Sequence, residues 1–357
     1  MNNTRTEILN SLQNQNPTSI RGGMRKRVVT GPLKFRQNHI TRKKTINTGL
    51  KNLRNTCYMN SIIQCLYSVK SFKGKLYEDL SEVNLNPNSR FQGEIVKEIG
   101  ATFGLMSENC GGSVSLSRLK SVVDRVYVPF RGSSQQDSHE FLMKILEWIA
   151  EDLGASALTS SPGHSEGDPP CEEDGALRMS DCGNSFLGFN ESLIKCSRCS
   201  YSSTTFEPFS AISLPLAAGG LTLEDLLHSY YGETSLQYEC PKCKCTVTAS
   251  RKLSVRRLPS VLIFHLNRFE GRDGLRKNQS YVRFPLKGLD MSGFGVDQAP
   301  KMCLTAVSNH YGTMNGGHYT AYGRREGGWY NFNDLKVTRI PEHSVCSAAA
   351  YVLFYEM

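Results

Sequence analysis

The chain has 357 residues, of which 39% are hydrophobic and 21% charged, a balance typical of globular proteins rather than fibrous or wholly disordered ones. No apolar run approaches the roughly 18 residues of a membrane span, and the first residues lack the apolar stretch of a secretory signal. The net charge is +9. Ten of the 42 basic residues and one of the 33 acidic residues lie in residues 1–48, which leaves 32 of each in the rest of the chain. The positive charge therefore belongs to the first segment, and it gives no reason to expect nucleic-acid binding by the remainder.

Residues 1–48 are rich in Asn, Thr, Arg and Lys and lack apolar periodicity, so we predict a basic, mostly disordered tail. Two basic clusters, at residues 25–27 and 42–44, are typical of a segment that binds an import receptor or an acidic partner. A solvated tail is the simpler alternative. The chain has twelve cysteines and no secretory signal, which favours reduced thiols and a cytoplasmic or nuclear location rather than secretion.

Apolar residues at helical spacing predict helices in the first half of the folded region, which begins at Gly49. The predicted helices are residues 58–69, residues 91–106, a helix with Ser115 as its N-cap that runs to residue 126, and a helix that ends near residue 153. Ser134 and Asp137 have the spacing of a capping box at the start of the last helix.

Residues 154–185 are rich in Gly, Ser, Pro and acidic residues, so we predict a flexible insertion. Short stretches of β-branched and aromatic residues follow and predict strands, interrupted by a short helix over residues 222–231. The predicted strands are residues 205–216, 246–257, 260–269, 281–284, 303–310, 318–323, 328–332 and 350–356. Helices precede strands, which predicts the α+β class.

Cys57 is the first candidate for chemistry, because it stands where a loop meets the predicted helix 58–69. A thiol at a helix N-terminus lies close to free N–H groups, which favour the thiolate. Thr56 is a candidate cap, and Asn52 carries an amide that can donate to an oxyanion. A buried structural cysteine is the alternative interpretation of Cys57.

His318 is the second candidate, because two glycines precede it directly and would allow a substrate backbone to approach the imidazole. A cysteine nucleophile needs a base and a group that orients the base. Asn333 and Asp334 follow His318 in the chain, so the order Cys, His, Asn/Asp provides all three roles. A structural histidine is the alternative interpretation.

Two Cys-x-x-Cys pairs lie about 40 residues apart and can form a tetrahedral four-cysteine zinc site: Cys196, Cys199, Cys240 and Cys243. The long gap predicts a β-ribbon that folds back between the pairs. Four thiolates leave no open coordination position, so the predicted zinc is structural. Cys245 can replace Cys243 in this set, and redox-active or simply reduced pairs are alternatives to zinc.

Together these segments resemble the catalytic domain of the ubiquitin-specific proteases, a family of papain-like cysteine deubiquitinases. The matching motifs in chain order are GLKNLRNTCYMNSIIQCL, QQDSHEFL, FLGFNESLIKCSRC, LPSVLIFHLNRF, NHYGTMNGGHYTAY with WYNFND, and AAAYVLFYEM. The resemblance runs from Gly49 to the C-terminus and leaves out the tail and the insertion.

The resemblance implies a papain-like fold with fingers, palm and thumb and a zinc-bound β-ribbon in the fingers. The catalytic domain is then residues 49–357, with the thumb at about 49–153 and the fingers and palm at about 186–357. It also implies a thiol isopeptidase that hydrolyses the bond after the C-terminal Gly-Gly of ubiquitin. Its partners are ubiquitin and ubiquitinated proteins, or a ubiquitin-like modifier, and we expect a monomer with no organic cofactor.

The resemblance also assigns roles to individual residues. Cys57 takes the nucleophile position, His318 the general base, Asn333 the orienting group and Asn52 the oxyanion-stabilising amide, while Asp334 shares or replaces the role of Asn333. Asp137 and Glu140 match acidic residues that meet the basic tail of ubiquitin. Gly316, Gly317 and Tyr319 line the slot for that tail, and the loop from Tyr311 to Gly317 matches one that gates it.

The sequence departs from the family pattern at three positions. Arg54 replaces a common glycine. An arginine held at positive φ would strain the loop between Asn52 and Cys57, which we call the oxyanion loop, by about 1–3 kcal/mol. Asn333 replaces the commoner Asp, and Asn267 replaces a common Lys. Arg54 is the basis of an alternative function, a catalytically impaired scaffold that binds ubiquitin. A zinc-containing nucleic-acid adaptor is a third hypothesis for the function.

Overall fold

The computed structural model describes residues 47–78, 85–154, 185–216, 221–270, 276–313 and 316–357. All of them belong to one unit, Ile46–Met357. The predicted disordered tail up to residue 46 and residues 155–184 of the predicted insertion lie outside the described residues. Thr48, which we assigned to the tail, is buried, and its hydroxyl donates to the Met106 carbonyl at 2.7 Å. The folded unit therefore includes residues that precede Gly49.

The helices are α1 (Cys57–Ser68), α2 (Lys70–Lys73), α3 (Glu94–Glu108), α4 (Ser117–Val126), α5 (Ser138–Asp152) and α6 (Leu223–Tyr230). Every residue of α1 is buried, in agreement with its wide apolar face. A π-helical turn, Gly74–Glu78, extends α2, and a capping box between Thr222 and Asp225 begins α6. Among the helices in the described part of the chain, none has the length and apolar character that a bilayer span needs.

Two of the predicted helix starts were wrong. Helix α4 begins at Ser117, and Ser115 belongs to a short strand, from which its hydroxyl accepts the Ser117 N–H at 3.3 Å. Helix α5 begins at Ser138 with Asp137 as its N-cap. The Asp137 carboxylate accepts the backbone N–H groups of His139 and Glu140, so the cap is the last residue of the S-x-x-D pattern and not the first.

A seven-stranded sheet forms the centre of the strand-rich half. Its strands are β5 (Ile212–Pro215), β9 (Val261–Asn267), β13 (Cys303–Thr313), β14 (Gly316–Arg325), β15 (Gly328–Asn333), β16 (Lys336–Ile340) and β17 (Ala350–Glu356). They lie in the order β16-β15-β14-β13-β17-β9-β5, and all neighbours are antiparallel except β5 and β9, which are parallel. Helix α1 packs against β13 and β14, and this contact brings the start of α1 beside the predicted histidine strand.

A separate four-stranded antiparallel sheet consists of β3 (Gly188–Lys195), β4 (Ser202–Phe209), β7 (Thr234–Cys240) and β8 (Cys245–Arg257), in the order β4-β3-β8-β7. The connections β3–β4 and β7–β8 carry the two Cys-x-x-Cys pairs. The ribbon that we predicted between the pairs is therefore this sheet. The remaining strands form three small pairs: Gly49–Lys51 (β1) with Ser113–Ser115 (β2), Leu221–Thr222 (β6) with Val282–Arg283 (β12), and Phe269–Glu270 (β10) with Arg276–Lys277 (β11).

A stacked pair of histidines lies where α5 meets the seven-stranded sheet. The rings of His139 and His265 are 3.8 Å apart and nearly parallel, and Nδ1 of His265 lies 3.0 Å from the Ser213 hydroxyl. Burial, and then the neighbouring His139, lower the pKa of His265 to about 3. Burial also lowers the pKa of His139, although Asp137 opposes this effect. Both imidazoles are therefore neutral in the folded protein at neutral pH.

The histidine pair predicts a loss of stability in mild acid. Below pH about 6.5 the unfolded chain takes up a proton at His265, whereas the folded chain does not until pH about 3. The free energy of unfolding should therefore fall as the pH drops, by about 2–3 kcal/mol from His265 alone between pH 6.5 and 4.5. Urea unfolding of the wild type and of His265→Gln at both pH values tests this expectation, because the variant should lose that share of the pH dependence. An equal pH dependence in both proteins would contradict it.

Candidate functional site

Cys57 is the first residue of α1, and its side chain is buried. The backbone N–H groups of Tyr319 and Tyr58 lie close to the thiol and favour its thiolate. Burial raises the pKa of the Cys57 thiol, the nearby Asp334 carboxylate adds to the rise, and the N–H donors oppose it. Since the net effect is a raised pKa, the thiol needs a base before it can act as a nucleophile.

The loop before Cys57 is held by its own side chains. The Asn52 side-chain oxygen accepts the Thr56 backbone N–H at 3.0 Å, and the Thr56 hydroxyl accepts the Leu53 N–H at 2.8 Å. Thr56 occupies the N-cap position of α1, but its hydroxyl makes no capping bond to the helix. The predicted cap therefore stabilises the loop instead.

Arg54 and Asn55 both adopt the left-handed region, with φ of +65° and +50°. Arg54 is thus held at positive φ, the condition under which we expected strain in the loop. A side chain in this region costs about 1–2 kcal/mol relative to glycine. Arg54 is exposed. Asn55 offsets part of the strain, since its amide donates to the Ser133 carbonyl at 2.8 Å and ties the loop to the segment before α5.

His318 lies in β14, and its Nε2 is 2.7 Å from Oδ1 of Asn333 in β15. Because an amide oxygen can only accept, the proton of this bond belongs to Nε2, and Nδ1 is left to accept a proton. The backbone N–H of Tyr319, the next residue of β14, lies close enough to the Cys57 thiol to oppose the rise of its pKa. The structure therefore brings Cys57, His318 and Asn333 to one place, where α1 meets the sheet.

Asp334 contacts two amides. Its Oδ2 accepts from Asn52 at 2.9 Å and its Oδ1 accepts from Asn60 at 2.7 Å. Asn333 is thus the member of the Asn-Asp pair that contacts the His318 imidazole, while Asp334 ties the sheet to α1. The Asn52 amide nitrogen carries a second N–H, which can still donate to another group.

The two glycines before His318 differ in their surroundings. A Cβ at Gly316 would meet nothing within 4 Å, whereas one at Gly317 would lie 2.1 Å from Nε2 of His310. The Gly317 N–H donates to the side-chain oxygen of Gln135 at 2.8 Å, which joins β14 to the segment before α5. The two walls of the predicted slot therefore approach each other at Gly317. Residues 314 and 315 of the predicted gating loop lie outside the described residues.

The two predicted substrate-binding carboxylates are not equivalent. Asp137 caps α5 and also accepts the Tyr351 hydroxyl proton at 2.5 Å. Glu140 is exposed and accepts from the Tyr127 hydroxyl at 3.1 Å. The third predicted substrate-binding side chain, Tyr319, is buried, with its hydroxyl close to Ser138. Glu140 is therefore the most accessible of the three side chains.

The predicted zinc ligands form one cluster, in which all four sulfur atoms lie within 4.8 Å of one another: Cys196, Cys199, Cys240 and Cys243. Two sulfur pairs are 3.9 Å and 3.8 Å apart. Metal–sulfur bonds of about 2.3 Å in a tetrahedron place the sulfurs about 3.8 Å apart, so the cluster can bind a metal ion. The Arg198 N–H donates to the Cys196 sulfur at 3.4 Å and lowers the pKa of that thiol to about 7. Cys245, the alternative ligand, accepts from the Arg198 side chain and is not in the cluster.

The family model described as ubiquitin carboxyl-terminal hydrolase matches residues 48–355. The chain belongs to the ubiquitin carboxyl-terminal hydrolase family. The resemblance that we drew from the sequence motifs and the α+β fold class are thereby confirmed.

Curated relatives of this hydrolase family match most of the chain. Ubiquitin carboxyl-terminal hydrolase 2 from Rattus norvegicus is 34% identical over 331 residues, which cover 87% of this chain and 54% of the relative. Ubiquitin carboxyl-terminal hydrolase 21 from Mus musculus is 31% identical and is covered to 62%. The matched chain thus spans little more than half the length of these two relatives. The hydrolase 2 protein from Gallus gallus is 34% identical and is covered to 93%.

Solved structures of the same hydrolase family share the fold. The SAGA Ubp8/Sgf11/Sus1/Sgf73 DUB module bound to ubiquitin aldehyde has a TM-score of 0.67 at 28% identity, over 88% of this chain and 70% of the other. A second structure of the SAGA DUB module, bound to monoubiquitin, also has a TM-score of 0.67, at 27% identity over 89% of this chain and 70% of the other.

Two residues that lie in the site were not predicted from the sequence to have a role. Asn60, in the first turn of α1, is buried and holds Asp334. Gln135 binds the Gly317 N–H across the slot. Both lie within motifs that we quoted, but their partners are 274 and 182 residues away along the chain, and no local pattern indicates such contacts.

Proposed function

We propose that this chain is a deubiquitinating thiol hydrolase that cleaves the peptide or isopeptide bond after the C-terminal Gly-Gly of ubiquitin. One observation carries the proposal: the Cys57 thiol faces the β14 backbone directly after His318, whose Nε2 is fixed by Asn333 at 2.7 Å. This is the arrangement of nucleophile, base and orienting group that thiol proteases use. The family membership and the ubiquitin-bound structural neighbours support the choice of substrate.

In the first half of the reaction, Nδ1 of His318 takes the proton of the Cys57 thiol. The thiolate attacks the carbonyl carbon of the last ubiquitin glycine, and the carbonyl oxygen becomes an oxyanion. The free N–H of the Asn52 amide stabilises this oxyanion. His318 then returns the proton to the lysine nitrogen as the C–N bond breaks, which leaves a thioester between Cys57 and ubiquitin.

In the second half, His318 takes a proton from water, and the hydroxide oxygen attacks the thioester carbon. Cys57 leaves as a thiolate, which regains the proton from His318, and ubiquitin departs with a free carboxylate. Asn333 keeps the imidazole in the required tautomer in both halves. Since an amide is neutral, it stabilises the imidazolium less than an aspartate would.

The slot supports a substrate that ends in two glycines. Its walls meet at Gly317, where β14 and Gln135 are joined by a hydrogen bond of 2.8 Å. A tail with side chains at the cleavage point would not fit between walls this close. We infer that the ubiquitin tail replaces Gln135 at the Gly317 N–H when it binds.

We also infer that the four-cysteine cluster holds a structural zinc ion. The sulfur separations of 3.8–3.9 Å support tetrahedral thiolate coordination, for which zinc is the usual metal. The ion would fix the tips of β3–β4 and β7–β8, where a separate apolar cluster contains only four buried side chains. The four-stranded sheet would then present a rigid surface to the body of ubiquitin.

Glu140 and Asp137 should respond differently to substitution by alanine. Glu140→Ala should raise KM for ubiquitin substrates several-fold without loss of stability, because the exposed carboxylate is available for an arginine of the ubiquitin tail. Asp137→Ala should also lower the free energy of unfolding by about 1–2 kcal/mol, because it removes the cap of α5. Steady-state kinetics and urea unfolding of both variants test this difference. An unchanged KM in Glu140→Ala would exclude the arginine contact.

A catalytically impaired ubiquitin-binding scaffold is the second candidate function. It is favoured by Arg54, which occupies the oxyanion loop at a φ of +65°. The two candidates share the binding of ubiquitin and differ in turnover.

A ubiquitin derivative with a C-terminal alkylating electrophile tests the proposed site. We expect one ubiquitin to be added per chain, at Cys57 by peptide mass mapping, with no addition to Cys57→Ala and slower addition to His318→Ala. A parallel derivative of a ubiquitin-like modifier tests the choice of modifier. Addition at another cysteine, or no addition to the folded protein, would overturn the assignment.

A further inference from the structure

Three exposed basic residues surround the side of the site that holds Asp334. We call Lys51, Arg54 and Lys336, together with the exposed Leu335 between them, the basic rim. The Leu50 N–H donates to the Asp334 carbonyl at 2.9 Å, so β1 with Lys51 lies against the turn that carries Leu335. Lys336 pairs with Asn333 across that turn. The backbone thus fixes both lysines beside the hairpin of β15 and β16, which carries Asn333.

Arg54 joins the rim through the oxyanion loop. The Asn52 amide contacts Asp334 at 2.9 Å and also closes the loop onto Thr56 at 3.0 Å, and Arg54 lies between these two loop residues. The loop holds Arg54 in the left-handed conformation that favours glycine. Backbone strain of this kind is concentrated at functional sites.

The rim carries unbalanced positive charge. Within the described residues, none of its three basic side chains has an acidic partner at ion-pair distance. By contrast, Lys120 and Lys144 have carboxylate partners, and Lys277 donates to the His310 carbonyl. The negative charge of Asp334 offsets one of these three positive charges, and its carboxylate accepts hydrogen bonds from the amides of Asn52 and Asn60. The net field at this surface is therefore positive and attracts anionic groups.

The position of the rim relative to Cys57 indicates which molecule meets it. Gly317 and Gln135 form the slot of the proposed ubiquitin tail, and no rim residue belongs to this pair. The rim instead surrounds Asp334, which Asn60 holds against the first turn of α1, the turn that begins with Cys57. With the ubiquitin tail in the slot, the protein whose modified lysine lies at Cys57 is the part of the substrate left to meet the rim.

We propose that the basic rim selects leaving groups in which the modified lysine lies near acidic residues. This inference rests on the proposed function and adds to it the chemical class of the protein from which ubiquitin is removed. The exposed Leu335 adds an apolar contact at the centre of the rim. Because the charges are exposed, the preference should weaken as salt is added.

Two isopeptide conjugates and a control substrate test the proposal. Each conjugate joins ubiquitin to the lysine of a short peptide, with three Glu residues beside the lysine in one and three Gln residues in the other. The wild type should cleave the acidic conjugate with a kcat/KM about tenfold higher in low salt, and less than about threefold higher in 0.5 M salt. Lys51→Gln with Lys336→Gln should reduce the low-salt preference to about threefold or less.

Lys70→Gln with Lys287→Gln is the matched control, because both lysines are exposed, lie outside the site and the four-stranded sheet, and give the same change in charge. This variant should keep the preference. All three proteins should release a fluorophore from the ubiquitin C-terminus, which has no leaving protein, at equal rates. Equal cleavage of the two conjugates by the wild type, or a preference that survives in Lys51→Gln with Lys336→Gln, would overturn the role of the rim alone. Failure to release the fluorophore would overturn the proposed function and the role of the rim with it.

Discussion

Gly317→Ala should lower kcat/KM for a ubiquitin substrate by about 100-fold or more, because the new methyl group has no space. It would lie 2.1 Å from Nε2 of His310 and 2.9 Å from the Tyr311 carbonyl oxygen. The His310 ring cannot turn away easily, since it is buried and packed against aromatic rings that include Tyr319, at 4.6 Å between ring centres. The backbone of β14 must shift instead, and His318 is the next residue. We also expect a loss of about 1–3 kcal/mol in the free energy of unfolding, as for other overpacked sites.

Two glycine variants serve as controls for this result. Gly316→Ala adds a methyl group with nothing within 4 Å, so its free energy of unfolding should match the wild type. Gly293→Ala, at an exposed position in the short 3-10 helix Ser292–Phe294 outside the site, also has open space and should leave both stability and kcat/KM unchanged. Wild-type kcat/KM in Gly317→Ala would show that β14 can move without displacing His318, and it would contradict the close-packed slot.

Cys196→Ser should release the metal ion from the four-cysteine cluster and destabilise the four-stranded sheet by about 3 kcal/mol or more. Three thiolates and a hydroxyl bind zinc much more weakly than four thiolates. Apart from cysteines, the apolar cluster at the hairpin tips has only two buried side chains, Val247 and Ala249, so the metal should supply much of the stability there. Metal analysis should find about one zinc per wild-type chain and much less in the variant. Hydrogen exchange should become faster over residues 188–257.

Cys245→Ser is the matched control for the zinc prediction, because Cys245 lies two residues from Cys243 but outside the cluster. It should retain the metal and the slow exchange of the wild type, with loss only of the contact from Arg198. Four free thiols and no zinc in the purified wild type would contradict the structural metal. Loss of zinc from Cys245→Ser would assign the fourth ligand to the other cysteine.

The sequence predicts the helices and strands best where apolar periodicity is strong. Helix α1 and the strands β9, β13 and β17 were predicted within a few residues, because most of their residues are buried and apolar side chains recur along them. Strand β3 was missed for the opposite reason. Its inward positions include Asn190 and Ser192, which are buried but polar, so no apolar alternation marks the strand. Tyr231 and Arg251 satisfy these two side chains from distant parts of the chain.

The candidate site was predictable in its residue types but not in its contacts. Cys57, His318 and Asn333 were named because thiol proteases need those roles, and the structure brings them together. The choice between Asn333 and Asp334 depended on which of the two side chains contacts the His318 imidazole. The sequence does not show this, because it does not show which of two adjacent side chains points toward the histidine. The double use of Asp137, as a cap and as the acceptor from Tyr351, likewise depends on tertiary packing.

Release of a fluorophore from the C-terminus of ubiquitin, by the wild type and by Cys57→Ala at the same concentration, tests the central claim most directly. We expect turnover by the wild type and none by Cys57→Ala, which would establish Cys57 as the nucleophile of a ubiquitin hydrolase and show that the strained Arg54 is compatible with catalysis. No turnover by a folded, zinc-loaded wild type would contradict the proposed activity and favour the ubiquitin-binding scaffold. Turnover by both proteins would contradict the role of Cys57.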